Sequence, residues 1–264
     1  MTRGAFLVGL EARINLEVQA AVGHFSRVAG AYAAYRPHYP AALFEWAAGV
    51  AAAKDLAWDC GAGTGQATGD LARHFRRVVA TDASRAQLGA GVGGTNVAAW
   101  VATAERSAIR GRTADLVAVA QALHWFELQT FYREVRRVLR PRGVLVAWCY
   151  ADPRLEGAAG EVLERFAAAM RSWWPPQRVM VDSGYRDIPF PFDELSCPAF
   201  PMSVDWPLDV LLGYLGTWSA VGAYRRSRGS DPVAAVHPAL ADVWGDPGST
   251  HRVTWTLALR AGRP

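Results

Sequence analysis

The segment LAWDCGAGTGQATGD, Leu56–Asp70, decides the fold. Its first five residues, Leu56–Cys60, form a short apolar run of the kind that makes a buried strand. Gly61, Gly63 and Gly65 follow at alternate positions, and residues Gly65–His74 read as a helix. Glycine is the residue of choice where backbone must approach a neighbour more closely than a Cβ allows. A strand, a glycine turn and a helix in that order mark the first βα unit of a ligand-binding sheet.

The same rhythm extends outward from it. Arg77–Thr81 (RVVAT) reads as a second strand, with Ser84–Gly89 helical after it. Ala98–Ala102 and Ala114–Ala120 (ADLVAVA) read as a third and a fourth strand. Leu128–Leu139 is an amphipathic helix, and Gly143–Cys149 (GVLVAWC) a fifth strand. Strands alternating with helices over short links imply a parallel sheet covered on both faces. On the N-terminal side, Glu11–Tyr35 and Ala41–Ala53 have helical spacing, separated by RPHYP, whose prolines stop the first helix. Beyond Tyr150 the pattern changes: a helix over Leu155–Trp174, a strand within Glu194–Val204, a helix over Leu208–Ala223, and an alternating tail, HRVTWTLALR, with strand period. The late strands are expected to close one edge of the same sheet.

Composition limits the possibilities. Apolar residues make up 51% of the 264 and charged residues 20%, the balance of a chain with a folded core. The formal charge is +4, with the arginines scattered rather than gathered in a stripe, which argues against nucleic acid as a partner. Cys60, Cys149 and Cys197 are far apart and form no CxxC pair, so neither a disulfide framework nor a metal site is indicated. The first residues do not read as a signal peptide, and no stretch approaches the about 20 apolar residues of a membrane span. The expectation is a cytoplasmic protein, monomer or homodimer, with no membrane or nucleic-acid partner.

The glycine spacing narrows the ligand. A dinucleotide fingerprint places its third glycine five residues after the first; here Gln66 stands at that position. A phosphate loop would end in Gly-Lys-Ser/Thr, and the chain offers Gly65-Gln66-Ala67. A nucleoside without a pyrophosphate still needs the close turn, plus an acid for the ribose hydroxyls at the end of the second strand. Asp82 stands there. The residues therefore point to a nucleoside ligand.

DCGAGTGQAT…VVATDAS resembles the first motif and second-strand acid of class I S-adenosylmethionine (SAM)-dependent methyltransferases. ADLVAVAQALHWF and FYREVRRVLRPRGVLVAW are similar to that family's fourth strand and its helix–turn–fifth strand. FSRVAGAYAAYRPHYP and YLGTWSAVGAYR resemble a branch of small-carboxylate methyltransferases related to trans-aconitate methyltransferase. The resemblance implies an α/β, Rossmann-like, doubly wound, mostly parallel seven-stranded sheet with helices on both faces, an N-terminal helical lid and a C-terminal helical insertion. One domain is expected over residues 1–264: lid 1–54, SAM-binding core 55–150, and substrate-side helices with closing strands 151–264.

It also implies roles. Gly61, Gly63, Thr64 and Gly65 would pass under the methionine portion and ribose of SAM, and Asp59 would face its ammonium group. Asp82 would take the ribose hydroxyls and Ala83 flank the adenine. Thr103 replaces the acid usual beside the adenine, while Ala104 supplies a backbone contact. Gln121 and His124 would form the floor between sulfonium and substrate. In the lid, Tyr32 and Tyr35 would cover the sulfonium with aromatic faces, and Arg36 would pair with the cofactor carboxylate. Arg225 and Arg226 are candidates for holding a substrate carboxylate.

Methyl transfer from a sulfonium relies on positioning and desolvation more than on acid–base groups. The expected acceptor is a small molecule's oxygen, carboxylate or hydroxyl, with His124 the candidate base if one is needed. Two rivals stand beside this reading. One is a SAM-consuming cyclase or lyase that converts SAM to methylthioadenosine and azetidine-2-carboxylate; the other is a non-catalytic SAM-binding module. Nucleic-acid methylation is disfavoured, for want of the N/D-P-P-Y/F-type tetrapeptide.

Overall fold

The computed structural model describes residues 35–264 apart from Ala90 and Pro247. Tyr32 and all but the last residue of the expected helix over Glu11–Tyr35 lie outside the described residues. Five strands run parallel in the core: β1 (Leu56–Cys60), β2 (Arg77–Asp82), β3 (Val97–Val101), β4 (Ala114–Ala120) and β5 (Leu139–Tyr150). Four more follow: β6 (Asp193–Glu194), β7 (Met202–Trp206), β8 (His251–Trp255) and β9 (Leu257–Arg263). The main sheet has the order β3-β2-β1-β4-β5-β9-β6, with β9 antiparallel to both neighbours. This is the doubly wound, mostly parallel, Rossmann-like seven-stranded sheet expected from the sequence.

The period of two along each strand builds the two layers. From β4, Leu116 and Ala118 point into one apolar cluster and Val117 and Val119 into the other. From β5, Val144, Val146, Trp148 and Tyr150 join the first cluster, and Leu145, Ala147 and Cys149 the second. The first layer is closed by α1 (Ala41–Val50) and α2 (Thr68–His74), the second largely by residues around Phe131, Val135 and Val138 of a helix over Leu128–Val138. A short helix, Arg85–Leu88, links β2 toward β3. Each fully buried Leu or Val contributes about 1.5–3 kcal/mol, so the alternation fixes which face every strand presents.

The C-terminal third departs from the sequence reading in three places. Pro198 and Pro201 break the expected strand over Glu194–Val204, so its two ends serve different sheets: β6 on β9, and β7 on β8. The tail divides likewise, with residue 256 between β8 and β9. The expected helix over Leu208–Ala223 is two, Leu208–Gly216 and Ser219–Arg228, separated at Thr217–Trp218, where the Thr217 hydroxyl turns back to the Tyr214 carbonyl. Two further helices, Gly157–Met170 and Pro232–Trp244, pack with these, and a short one spans Arg178–Asp182. The helix over Pro232–Trp244 goes beyond the sequence reading; Pro232 and the Asp231 cap start it, and it continues through Pro238.

Candidate active site

The strand order reverses between β1 and β4, and a parallel sheet binds ligands at the carboxyl ends of the strands at such a point. A cavity of about 180 Å³ opens there, walled by the glycine turn, Asp82–Ser84, Ala102–Glu105, Ala120–Ala122, Trp125, Phe126 and Tyr39.

The turn is held by main-chain bonds. Gly61 and Ala62 amides both donate to the Thr81 carbonyl, at 2.9 and 3.0 Å. Gly61, Gly63 and Gly65 take φ values of 70°, 58° and 84°, the left-handed region that disfavours side chains. A Cβ on Gly61 would also lie 2.7 Å from the Ala122 Cβ. Asp82 fastens this turn: one carboxylate oxygen accepts from the Gly63 amide at 2.9 Å and the other from the Ser84 amide at 2.7 Å. Burial raises the Asp82 pKa while these two amides oppose the rise.

The cavity suits a nucleoside with polar ends. Alanines 83, 102 and 104 and Phe126 supply apolar wall, and buried polar atoms without a partner among the described residues surround it: Thr64 Oγ1, Gln66 Nε2 and Gln87 Oε1. An unpartnered buried polar atom is costly unless a ligand completes it. Ala83, Ala104, Gly61, Gly63, Thr64, Asp82 and Thr103 all line this cavity, Thr103 at its exposed rim. Tyr39, Gln66, Gln87 and Glu105 line it too without having been expected; for Glu105 the signal was available in ATAER, whereas nothing distinguishes Gln87 from an ordinary helix residue.

Other expected cofactor residues sit elsewhere. Gly65 packs against Val92 behind the turn. Asp59 is wholly buried and outside the lining: Thr68 Oγ1 donates to Oδ2 at 2.5 Å, and Oδ1 has no partner among the described residues. Burial, reinforced by the neighbouring Asp82 charge, pushes its pKa up to about 7. Tyr35 lies flat against Gly213, where a Cβ would come within 2.4 Å of the ring, and lines neither this cavity nor the next.

A second, smaller cavity of about 60 Å³ adjoins the first through Gln121 and Trp125. Gln121 is a wall between them. Its side-chain amide is committed to both the carbonyl and the amide of Tyr150, at 2.8 and 3.0 Å, and it adopts φ 55° to do so. Arg36 lines this cavity rather than the first, donating to the Tyr150 hydroxyl at 3.2 Å with its guanidinium over the Tyr214 ring. Arg178 lines it from the other side, stacked on Trp174 and ion-paired with Asp152 and Asp182. His124 lines it too, its Nδ1 2.9 Å from the Tyr185 hydroxyl. Burial, helped by the Arg178 charge, pulls the His124 pKa down to about 3. Neither Arg225 nor Arg226 lines either of these two cavities, and Arg225 is paired with Asp231 at 2.8 Å.

Comparison with known proteins agrees with this architecture. A family model described as a methyltransferase domain matches residues 58–147. A Dictyostelium discoideum protein named as a methyltransferase is 30% identical over 221 residues, covering 82% of this chain and 84% of that one. An uncharacterized methyltransferase of Mycobacterium tuberculosis is 37% identical over 151 residues, 53% of this chain and 59% of that one. A solved structure from Anaeromyxobacter dehalogenans, described as a type II methyltransferase, superposes with a TM-score of 0.81 at 46% identity, covering 87% of this chain and 98% of that one.

Proposed function

The chain belongs to the SAM-dependent methyltransferases of class I, and we propose that it methylates an oxygen of a small acid seated in the second cavity. SAM is the cofactor; when bound, it supplies a methyl group on a sulfonium, which a nucleophile takes as the carbon–sulfur bond breaks toward sulfur. The glycine turn and Asp82 hold the nucleoside end, Gln121 and Trp125 separate the two cavities, and the aromatic walls exclude water from the junction.

One observation carries the choice of acceptor. His124 Nδ1 is engaged by the Tyr185 hydroxyl at 2.9 Å, and burial with the Arg178 charge pulls the imidazole pKa down to about 3, which leaves it a poor base at neutral pH. An acceptor that must lose a proton gains little from it, whereas a carboxylate is already ionised. Two guanidinium groups, Arg36 and Arg178, line the same cavity and offer donors to an acceptor oxygen, with the Arg178 charge balanced by Asp152 and Asp182. The cavity's size suits a small molecule. The likeness of the flanking segments to carboxylate methyltransferases of the trans-aconitate branch points the same way. Cyclisation of SAM has no comparable support.

We place this chemistry in one cytoplasmic domain, with the elements after Tyr150 forming the substrate side; the expected lid falls mostly outside the described residues. Incubation of pure protein with SAM and a panel of small carboxylates, alcohols and phenols tests the proposal. The expected products are S-adenosylhomocysteine and a methyl ester. Turnover confined to phenols or alcohols, or release of methylthioadenosine from SAM alone, would overturn it.

A further inference from the structure

Tyr185 takes no part in the chemistry described so far, yet the fold holds it tightly. It is fully buried and adopts φ 63° directly after Gly184 at φ 61°, a conformation bulky residues seldom take. Its amide donates to the Met180 carbonyl at 2.8 Å, and its carbonyl accepts from Arg260 Nη1 at 3.0 Å. These bonds aim the ring beneath β5 so that its hydroxyl meets His124 Nδ1 at 2.9 Å.

The direction of that bond follows from the groups around the phenol oxygen. Among the described residues, the hydrogen-bond partner of that hydroxyl is His124 Nδ1, at 2.9 Å. Were the imidazole to donate from Nδ1, the proton of this fully buried phenol would be left without an acceptor, so the phenol donates and Nδ1 accepts. The neighbours do not compete for it. The Cys149 thiol on β5 faces the Val181 carbonyl at 3.9 Å, and the Tyr132 hydroxyl donates to the Pro189 carbonyl at 2.8 Å. Arg178 lies on the imidazole side and Arg260 holds the Tyr185 carbonyl. Burial raises the phenol's pKa well above its ordinary value, so the proton is present throughout the neutral range.

We infer that Tyr185 is a positioning residue that donates to His124 Nδ1, keeps the ring proton on Nε2, and so makes His124 a hydrogen-bond donor toward the second cavity. A neutral imidazole carrying its proton on Nε2 cannot accept another there. It grips an oxygen lone pair instead. The acceptors this selects present an oxygen that is nucleophilic without losing a proton, a carboxylate above all; a hydroxyl acceptor finds no base at this nitrogen. The selection rests on the proposed assignment of the second cavity to the methyl acceptor, while the tautomer does not.

Long-range proton–nitrogen NMR on histidine-labelled protein tests the tautomer without any acceptor, with the His124 signals assigned by their loss in His124→Gln. The wild type should show the Nε2–H pattern, unchanged between about pH 6 and 9. Tyr185→Phe should shift it toward a mixture of tautomers. In kinetics with a carboxylate acceptor, Tyr185→Phe should raise KM about fivefold or more with SAM affinity unaltered. His124→Gln, which keeps a donor, should restore most of the turnover that His124→Leu loses. An Nδ1–H pattern in the wild type overturns the inference even if Tyr185→Phe fails to fold, as does an unaltered pattern in a folded Tyr185→Phe. A confirmed tautomer without turnover of any carboxylate would instead defeat the proposed function and leave the role of Tyr185 standing.

Discussion

Asp59 should make this protein lose stability as the pH rises, and Asp59→Asn should remove that loss. The carboxyl is wholly buried at the end of β1, one oxygen bonded to Thr68 and the other unpartnered among the described residues. Burial and the nearby Asp82 charge lift its pKa from an ordinary 3.8 to about 7, against the pull of the Thr68 hydroxyl. The folded state thus holds the proton more tightly than the unfolded chain does. The contribution is complete below pH 3.8 and is lost as the pH passes through about 7. At about 1.4 kcal/mol per tenfold change in proton affinity, the whole effect is about 4 kcal/mol, of which about 2.5 kcal/mol falls between pH 5 and 8. Asparagine keeps the shape, stays neutral and can still accept from Thr68. Urea unfolding of both proteins at pH 5 and pH 8 measures the difference between their stabilities. Wild type should decline relative to Asp59→Asn by about 2.5 kcal/mol over that interval. Parallel pH dependences would show that Asp59 is ionised in the folded state and refute the reasoning. Saturating SAM should flatten the wild-type slope if Asp59 faces the cofactor ammonium, because a nearby cation favours the carboxylate.

Asp82→Ala strands the Gly63 and Ser84 amides and removes the ribose acid; calorimetry should show SAM and S-adenosylhomocysteine binding weaker by about 1–3 kcal/mol, and unchanged affinity would remove Asp82 from the site. Gly61→Ala places a Cβ 2.7 Å from Ala122 at φ 70°, so thermal unfolding should reveal a loss of about 1–3 kcal/mol together with weakened cofactor binding. Glu134 behaves oppositely to Asp59: burial works to raise its pKa, but the Arg137 and Ser107 bonds bring it down to about 2. Its contribution is present above pH 4.5 and lost as the pH falls toward 2, so Glu134→Gln should lower stability at pH 7 and narrow the gap from wild type in acid, as read by denaturant titration.

The parallel sheet and the cofactor turn were legible in the chain because their causes are local. Continuous apolar runs such as ADLVAVA report burial on both faces of a strand. Glycines that need positive φ, and an acid placed to cap the turn after β2, announce a close backbone approach wherever the rest of the chain lies. Asp82, Ala83 and Ala104, singled out from the sequence, all line the first cavity. The substrate side was not legible in this way. Arg36, Arg178, Asp152, Trp174 and Tyr214 come from separate elements after and before the core, and no spacing along the chain brings them together. Arg225 and Arg226 carried the same charge and a suggestive context, yet Asp231 lies where it can neutralise Arg225. Tyr35 and Tyr39 share an aromatic segment four residues apart, and packing of Tyr35 against Gly213 and of Tyr39 against Trp148 decides that Tyr39 lines the first cavity. Sequence fixes which residues can do chemistry through their type and local conformation. Which of them meet a ligand depends on burial and on partners distant in the chain, and these exist once the helices after β5 have closed over the sheet.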